Sequence, residues 1–573
     1  MSSSDDSREI VNDDEVDEIE RIVSECARVN VEKLKSIREN LHWEENESGD
    51  LVGQIQPLLI DWLGAYPNLR EIFLPKEIDL LLKDSIKCRT KRADLDDNAG
   101  DVFLEFLVGT GYKDEPEVDG EVDDDGKPLL RRTTSVHLAA HEEDYYGLQE
   151  LFKIYDRFDL NFADQFGYTH FHAACEYGFD DIVKKFLEFG EDPELLVPKT
   201  GDSSLHMTVT NKNHTVARLL LESGANPNLA NLNGWTPLHY ICKMNEDQSN
   251  EDDDFAELFL TINDDIQKTV QIDAQDKWGN TPLHLALDYG LVVTSETLLR
   301  RGADPNITNA EGLTPLHMIC KRDDNIELLE MFFNINEEKN QVVQIDARDK
   351  KGRTPLQYAV ANYSPRMVEF LFDHGADLSN FVFPSDSDFD EEYDIRIHSY
   401  SSRIKLRLAS GSLACVECLE KRGYKLDRSD ALTIMNLFAQ QNVFENQTDL
   451  DQSWYDDESF VRETKETKVR PGLSLYDFIR SPPEEATKLL TYMEYLNFAR
   501  RCYTPIYPIE PFNASIAHLC EMSSRRFFRR WALDPLMELT HYRLPILCCE
   551  MIIKQLMNED LRRVCLAATG QTL

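Results

Sequence analysis

This chain of 573 residues is poor in long apolar runs and in basic side chains. No apolar stretch approaches the roughly 18 residues that a membrane-spanning helix requires, and Met1 to Glu20 is polar and acidic, unlike a secretion signal. Lys and Arg number 61 against 105 Asp and Glu, so the net charge is −44. Such a charge disfavours non-specific binding to nucleic acid or anionic lipid. We therefore expect an intracellular, cytoplasmic protein, with the nucleus as the alternative compartment, and neither nucleic acid nor membrane as its partner.

The sequence also lacks the motifs of common catalytic sites. It has no Gly-rich phosphate loop, no GxSxG or HExxH motif, and no Cys–His pair in a recognised nucleophile context. Its 12 cysteines are scattered, as expected of reduced thiols. Cys415 and Cys418 have a zinc-compatible spacing, but no second Cys or His pair lies near them, so a place inside a helix is favoured. We predict no enzymatic activity, no metal and no cofactor.

What the sequence does contain is a four-residue motif repeated seven times. Its first residues are separated by 35, 34, 33, 45, 33 and 40 positions. A period of this length indicates a solenoid of stacked supersecondary units. The copies are Thr134-Ser-Val-His137, Thr169-His-Phe-His172, Ser203-Ser-Leu-His206, Thr236-Pro-Leu-His239, Thr281-Pro-Leu-His284, Thr314-Pro-Leu-His317 and Thr354-Pro-Leu-Gln357.

The unit from Asp276 to Asn306 shows what each part of the repeat does. Gly279 suits a tight turn, because glycine adopts backbone angles that other residues avoid. Thr281 can cap a helix in which Pro282 takes the first position without losing a hydrogen bond. Gly302 ends a second helix in a left-handed conformation. The unit resembles an ankyrin repeat, and the resemblance implies an all-α solenoid of helix pairs with β-turn fingers.

Two residue types recur in register within these units. Histidine closes six of the seven motifs, and we expect it to hydrogen bond to the backbone of a neighbouring repeat instead of binding metal or acting in catalysis. Cysteine recurs six residues after the motif start at Cys175, Cys242 and Cys320. We expect these three side chains to be small members of the core.

The segments around the repeats complete the predicted domain plan. One unit cannot bury its own apolar face, so the stack needs caps at its ends. We predict an acidic disordered tail over 1–15, a helical cap with a degenerate repeat over 16–128, about seven repeats over 129–380, an acidic loop and a degenerate repeat over 381–440, a linker over 441–470 and a helical domain over 471–573. Two helices of the degenerate repeat are expected within 406–426. In the last domain, a helix is expected to begin at Ser481-Pro-Pro-Glu484 and to run through Leu496.

The carboxy-terminal domain contains five characteristic short segments, Leu475-Tyr-Asp477, Leu489-Leu490, Phe527-Phe528, Leu544-Pro545 and Asn558-Glu-Asp-Leu561. On these residues it resembles the PRANC domain, which follows ankyrin repeats in poxvirus proteins and in related proteins of parasitoid wasps and their bacterial associates. Its end is F-box-like, since Leu544-Pro545 precedes Asp560-Leu561 by the usual interval, and Ile546, Cys549, Ile553 and Leu556 can share a helix face. The resemblance implies docking on a Skp-type adaptor of a cullin ubiquitin ligase.

The basic stretch from Arg525 to Arg530 lies inside this domain. It resembles a localisation signal or a nucleic-acid patch, but it is interrupted by Phe527 and Phe528. We expect these two aromatic residues and Trp531 to be core, with the arginines facing solvent or acidic neighbours.

These features predict a protein-binding adaptor, in which the repeats recruit a target protein and the F-box-like segment docks on the ligase. Exposed aromatic and cationic finger residues favour a partner surface. The candidate target contacts are Phe166, Tyr168, Trp235, Lys277, Trp278, Leu313, Lys350, Lys351 and Arg353. The candidate docking residues are Leu544, Pro545, Ile546, Ile553, Leu556, Asp560 and Leu561. The alternative is a ligase-independent ankyrin scaffold or inhibitor that sequesters a signalling protein, as IκB-like proteins do.

Overall fold

A computed structural model describes most of the chain. The described residues are 13–41, 43, 51–60, 62, 65–90, 99–115, 131–243, 255–322, 325–385, 387–389, 402–444, 458–501 and 509–570. Most of the predicted acidic tail and most of the acidic loops lie outside them. Residues up to Lys277 form one compact unit, and residues from Trp278 onward form a second.

The first unit consists of helices. A helical segment precedes the repeats, and four helix pairs follow it. The elements are α1 (Asp13–Asn40), α2 (Leu51–Ile60), a short 3-10 helix (Leu69–Glu71), α3 (Pro75–Thr90), α4 (Ala99–Gly109), α5 (Ser135–His141), α6 (Tyr145–Ile154), α7 (His170–Glu176), α8 (Asp180–Glu188), α9 (Ser204–Thr210), α10 (His214–Glu222), α11 (Pro237–Lys243) and α12 (Phe255–Asp265). Helix α3 packs on α5 and α4 on α6, so this pair is positioned as a further repeat would be.

The second unit continues the helix pairs and then changes character. Its repeat helices are α13 (Pro282–Tyr289), α14 (Val292–Arg300), α15 (Pro315–Lys321), α16 (Ile326–Glu338), α17 (Pro355–Ala361) and α18 (Pro365–Asp373). They are followed by α19 (Ser402–Lys421), α20 (Arg428–Gln440), α21 (Glu458–Glu466), the antiparallel hairpin of β1 (Lys468–Arg470) and β2 (Leu473–Ser474), α22 (Leu475–Ile479), α23 (Pro483–Leu489), α24 (Tyr492–Arg501), α25 (Ile509–Leu539), α26 (Ile546–Gln555) and α27 (Asn558–Ala568).

Six of the seven repeats start their first helix with the same reciprocal pair of hydrogen bonds. In α13 the Nδ1 atom of His284 accepts the backbone N–H of Thr281 at 3.2 Å, and the hydroxyl of Thr281 accepts the N–H of His284 at 3.4 Å. This is a capping box in which histidine replaces the usual Glu or Gln. The same box recurs at Thr134, Thr169, Ser203, Thr314 and Thr354.

The second nitrogen of five of these histidines joins one repeat to the next; they are His137, His172, His206, His284 and His317. Because Nδ1 accepts a backbone N–H, the ring proton sits on Nε2, which donates to a carbonyl of the following finger. The Nε2 atom of His206 lies 2.9 Å from the carbonyl oxygen of Trp235, and the Nε2 atom of His284 lies 3.0 Å from the carbonyl oxygen of Leu313. Gln357 reproduces both bonds, accepting from Thr354 N–H and donating to Val382 O, each at 2.8 Å. The predicted structural role of the motif histidines is confirmed.

All six motif histidines are buried. Burial lowers the pKa of His137, His172 and His317 to about 4 in each case. The bond from a backbone N–H to Nδ1 acts in the same direction, because only the neutral ring can accept it.

The fingers between helix pairs are built on a single polar side chain. Asn309 Oδ1 accepts the N–H groups of Glu311 and Leu313 at 2.9 and 3.0 Å. Gly312, at φ +82°, follows the turn, and a Cβ on it would lie 2.8 Å from the backbone nitrogen of Lys350 in the next finger. Glycine is therefore required for its backbone angle and for the close approach of two fingers. The same side-chain device recurs at Asp164, Asn231 and Asp349.

The core is shared between adjacent helix pairs. Leu283 of α13 and Leu298 of α14 have no exposed surface, and α13 packs on both α14 and α15. The cysteines predicted to be core residues, Cys175, Cys242 and Cys320, are all fully buried.

Helix α19 differs from the prediction, which placed two helices within 406–426. The helix runs without a break because Ser410 forms a hydrogen bond within the helix and Gly411 allows a neighbouring backbone to approach closely. The Ser410 hydroxyl donates to the carbonyl one turn earlier at 2.6 Å, and a Cβ on Gly411 would lie 2.7 Å from the carbonyl oxygen of Tyr363. The Gly-Ser stretch thus marks close packing, and the expectation of two helices was wrong.

The predicted linker over 441–470 also contains structure. Helix α21 and strand β1 lie within it, while 445–457 lies outside the described residues. Phe460 and Val469 are 2% and 0% exposed, so these apolar residues anchor an otherwise polar segment. Composition suggested a linker because the buried positions are few and widely spaced.

A third difference is the helix predicted from Ser481 through Leu496, which is two helices, α23 and α24. Leu490 between them is extended, at φ −131° and ψ 143°. Thr491 N–H donates to Glu494 Oε2 at 2.8 Å, and Glu494 N–H donates to the Thr491 hydroxyl at 3.2 Å. This capping box starts the second helix. Thr491 and Glu494 were therefore a helix-start signal in the sequence, but the continuous apolar spacing across them predicted a single helix.

The carboxy-terminal helices are packed directly on α19 and α20. Phe438 of α20 meets Phe528 of α25 with ring centroids 5.9 Å apart. Ion pairs lie at the edges of this contact, between Arg530 and Glu420 at 2.8 Å and between Arg428 and Glu538 at 2.9 Å. Within the second unit, the carboxy-terminal helices and the end of the solenoid are therefore one packed body.

Candidate protein-binding surfaces

The finger tips present several of the residues predicted as target contacts. Phe166 and Trp278 are 41% and 52% exposed, and Lys277, Lys350 and Lys351 are also exposed. Phe166, Trp278 and Lys351 each directly precede the finger glycine. In these three fingers the two residues before the glycine are thus exposed.

The residue after the glycine points back into the stack. Tyr168 and Leu313 are 8% and 2% exposed. The Tyr168 ring stacks on His172 with centroids 5.7 Å apart, and its hydroxyl donates to Glu176. Contrary to expectation, Tyr168 and Leu313 are core residues of their fingers and not surface contacts.

Trp235 and Arg353 also follow a finger glycine and are half-buried. Trp235 Nε1 donates to Asp276 Oδ2 at 3.1 Å. The Arg353 guanidinium pairs with Asp349 at 2.8 Å and with Asp388 at 3.1 Å. Their polar groups are therefore engaged within the fold, and only part of each side chain is available to a partner.

Two lysines that sequence reasoning missed stand beside the finger aromatics. Lys199 Nζ lies 4.2 Å from the ring centroid of Phe166, and Lys243 Nζ lies 4.7 Å from that of Trp235. Such cation–π pairs hold a positive charge over an aromatic surface. For Lys199 the available signal was its position one repeat after Phe166, just before the turn that contains Gly201.

Helix α26, which the sequence analysis predicted to be part of a docking segment, is held from one side. Cys549 and Ile553 are 0% and 3% exposed and face the domain, as do Leu561 and Cys565 of α27. Two predicted docking residues, Ile553 and Leu561, are thus buried within the domain, where they fix α26 and α27 in place.

A buried polar cluster fastens the junction of α26 and α27 to α25. Glu521 accepts the backbone N–H of Asn558 at 3.0 Å and pairs with Arg525 at 2.8 Å. Arg525 and Arg529 both donate to the carbonyl of Lys554 at the end of α26, at 3.2 and 3.0 Å. The junction is rigid, since each bond restrains the turn between the two helices.

The opposite side of α26 is apolar and exposed. Leu547 and Met551, one helical turn apart, are 67% and 68% exposed. We define the α26 face as Leu544, Ile546, Leu547, Met551, Ile552 and Met557, which are between 36% and 68% exposed. Among the other predicted docking residues, Pro545 is exposed, and Leu556 and Asp560 are half-buried.

Four residues of the α26 face, Leu547, Met551, Ile552 and Met557, were absent from the sequence prediction. The sequence prediction rested on one apolar stripe of α26, and that stripe contains the buried residues Cys549 and Ile553. The signal was available, because α26 is apolar around most of its circumference and its neighbours can cover only one side.

The family of ankyrin repeats matches the sequence in three copies, at residues 136–231, 205–309 and 294–381. Residues 136–381 are ankyrin repeats. The chain is 26% identical over 274 residues to human transient receptor potential cation channel subfamily A member 1, covering 47% of this chain and 23% of the channel. It is 25% identical over 245 residues to an ankyrin repeat protein of fowlpox virus, covering 42% and 66% of the two chains.

Two further matches have the same character. The chicken nuclear factor NF-kappa-B p105 subunit is 27% identical over 197 residues, covering 34% of this chain and 19% of the relative. The crystal structure of the human ASB11 ankyrin repeat domain aligns with a TM-score of 0.34 at 20% identity, covering 43% of this chain and 100% of that domain. The matched part spans less than two thirds of each of the three sequence relatives.

Ankyrin repeats are protein-interaction modules, and the fold is an all-α ankyrin solenoid. In the described part of the chain, no group of three or more His, Cys, Asp or Glu side chains is arranged to hold a metal ion. The described helices include none with the length and apolar character needed to cross a membrane.

Proposed function

We propose that this protein is an adaptor that brings a target protein to a ubiquitin ligase. The ankyrin fingers bind the target, and the α26 face docks on a Skp-type adaptor of a cullin ligase. The observation that supports this proposal most strongly is the α26 face. Burying one Leu or Met side chain is worth roughly 1.5–3 kcal/mol, so a row of them left exposed on one helix favours a partner that covers it.

The rigidity of the carboxy-terminal body supports the same proposal. Because α25 packs on α19 and α27 packs on α20, the α26 face is held in a fixed orientation relative to the last helix pairs of the second unit. A ligase adaptor benefits from such a fixed geometry, since it presents a bound target at a defined position.

The test is co-purification of a Skp-type adaptor with point variants. Leu547→Glu with Met551→Glu places two charges in the centre of the face and should lower adaptor recovery at least tenfold, as expected when interface anchors are lost. Pro545→Ala should weaken recovery less, because it changes the entry to α26 and not its exposed row. Deletion of 540–573 is a poorer test, since it removes α27 and uncovers the core of α25.

The matched control is Val342→Glu, which changes an 82% exposed apolar residue far along the sequence from α26. It should leave adaptor recovery unchanged. Undiminished recovery with the Leu547→Glu, Met551→Glu variant would refute the docking proposal. Binding of a target by the fingers without any adaptor would favour the ligase-independent scaffold, a role that the match to the p105 subunit also suggests.

A further inference from the structure

The strongest unassigned feature of the first unit is a cleft between the segment before α5 and the next two fingers. It has a volume of about 510 Å³ and is lined by Arg131, Gln165, Phe166 and Pro198, among others. We call these four residues, with Lys199 at the rim, the Phe166 groove. A Cβ on Gly167 would lie 2.4 Å from Pro198 Cδ, so the two adjacent fingers are in close contact at the groove.

The carboxylate of the groove is already engaged by the fold. Asp164 accepts the N–H groups of Phe166 and Tyr168 at 2.8 and 2.9 Å, and His141 Nε2 lies 3.2 Å from its other oxygen. Burial raises the pKa of Asp164, but these hydrogen bonds outweigh burial and hold it below its usual value. Asp164 lines the cleft, but it is 5% exposed and its oxygens are occupied by these hydrogen bonds.

The cations of the groove are in a different position. Arg132 is paired with Asp114 and Asp79, at 2.8 and 3.1 Å. Arg131 and Lys199 are exposed, and within the described residues neither has a carboxylate partner. Lys199 stands over the face of Phe166, so a positive charge and an aromatic surface are offered together.

We infer that the Phe166 groove binds an acidic segment of the target protein. Carboxylates of the segment pair with Arg131 and Lys199, and one apolar side chain lies on Phe166 and Pro198. This inference rests on the proposed role of the fingers in target binding and names the chemistry of that target. An acidic ligand is favoured because Arg131 and Lys199 have no carboxylate partner among the described residues, whereas Asp164 is engaged by three hydrogen bonds.

The net charge of −44 opposes such a ligand at long range. At physiological ionic strength, however, exposed charges are screened beyond about 8 Å, so Arg131 and Lys199 act on a bound carboxylate while distant acidic residues do not. Affinity for an acidic peptide should therefore pass through a maximum as salt increases. At low salt the whole protein repels the peptide, and at high salt the two cations are screened as well.

The probe is a short fluorescein-labelled peptide in which glutamates flank one central leucine, with fluorescence polarisation as the readout on the full chain. The wild-type protein should bind it, and Arg131→Glu with Lys199→Glu should weaken binding at least tenfold. Phe166→Ala should weaken binding of this peptide more than binding of an all-glutamate peptide, because only the first loses an apolar contact.

The control for overall charge is Lys184→Glu with Lys339→Glu, which makes the same change in net charge at exposed lysines outside the groove. It should leave binding within about twofold of wild type at physiological salt, where distant charges are screened. An equal loss in this control, no binding of the acidic peptide, or equal binding of a peptide with lysines in place of glutamates would overturn the inference. Adaptor co-purification is measured in parallel: its retention in the groove variants separates failure of the groove from failure of the α26 docking proposal.

Discussion

The ankyrin repeats and the α26 face differ in the solvent exposure of their large apolar side chains. In the repeats, Leu283 and Leu298 are fully buried, and the motif residues Thr281 and His284 pair two backbone N–H groups at the start of α13. On α26, Leu547 and Met551 are about two thirds exposed while Ile553, on the same helix, is buried. The difference separates residues that build the fold from residues that are available for binding. Each prediction below changes one side of this comparison.

Acidification should produce the largest effect, and it should act on the repeats. In the fold the pKa of His137, His172 and His317 is about 4, whereas an unfolded histidine has a pKa of about 6.5. As pH falls below 6.5 the unfolded chain takes up protons first, so stability present at neutral pH is lost progressively toward pH 4. By pH 5 the loss should be roughly 1–2 kcal/mol for each histidine. Denaturant midpoints measured between pH 7 and pH 5 test this.

Gln357 provides the matched control for this prediction. Because glutamine makes the same two hydrogen bonds without titrating, His172→Gln should retain most stability at pH 7 and lose less than wild type at pH 5. A variant as acid-sensitive as wild type would show that these histidines do not carry the pH dependence.

Leu283→Ala should have the next largest effect. The side chain has no exposed surface, so its truncation should cost about 2–5 kcal/mol through lost burial and a residual cavity. Because α13 and α14 pack on α15 and α16, hydrogen exchange should accelerate in that following repeat as well. Exchange that accelerates within 276–306 alone would contradict shared stability. Val342→Ala, at an 82% exposed site, should change stability by less than about 0.5 kcal/mol.

Two substitutions on α26 distinguish its buried side from its exposed side. Ile553→Ala should destabilise the protein by about 2–4 kcal/mol, whereas Met551→Ala should change stability by less than about 0.5 kcal/mol. The expected effects on adaptor recovery are reversed, with Met551→Ala the more damaging to docking in protein that remains folded. Equal destabilisation by the two variants would mean that the exposed face is covered within the chain.

The same contrast explains what could be predicted from the sequence. The repeat period, the capping motifs, the core cysteines and the histidine bonds follow from local patterns, because every repeat solves the same packing problem. Which finger residues are exposed did not follow, since Phe166 and Tyr168 are both aromatic and differ only in their position relative to Gly167. Four residues of the α26 face were missed for a related reason: apolar spacing identifies a stripe but does not say which side of a mostly apolar helix is covered.

The smallest predicted effect concerns the break between α23 and α24. Thr491→Ala removes the hydroxyl that accepts the Glu494 N–H, and loss of such a cap costs about 1 kcal/mol. Thr491→Ser keeps the hydroxyl and should be close to wild type in denaturant unfolding. Because α24 packs on α19 and the α26 face lies on another helix, the alanine variant should lower stability without reducing adaptor recovery. A Thr491→Ala protein of wild-type stability would mean that packing on α19, and not the capping box, fixes the start of α24, and that local signals count for less in the carboxy-terminal body than in the repeats.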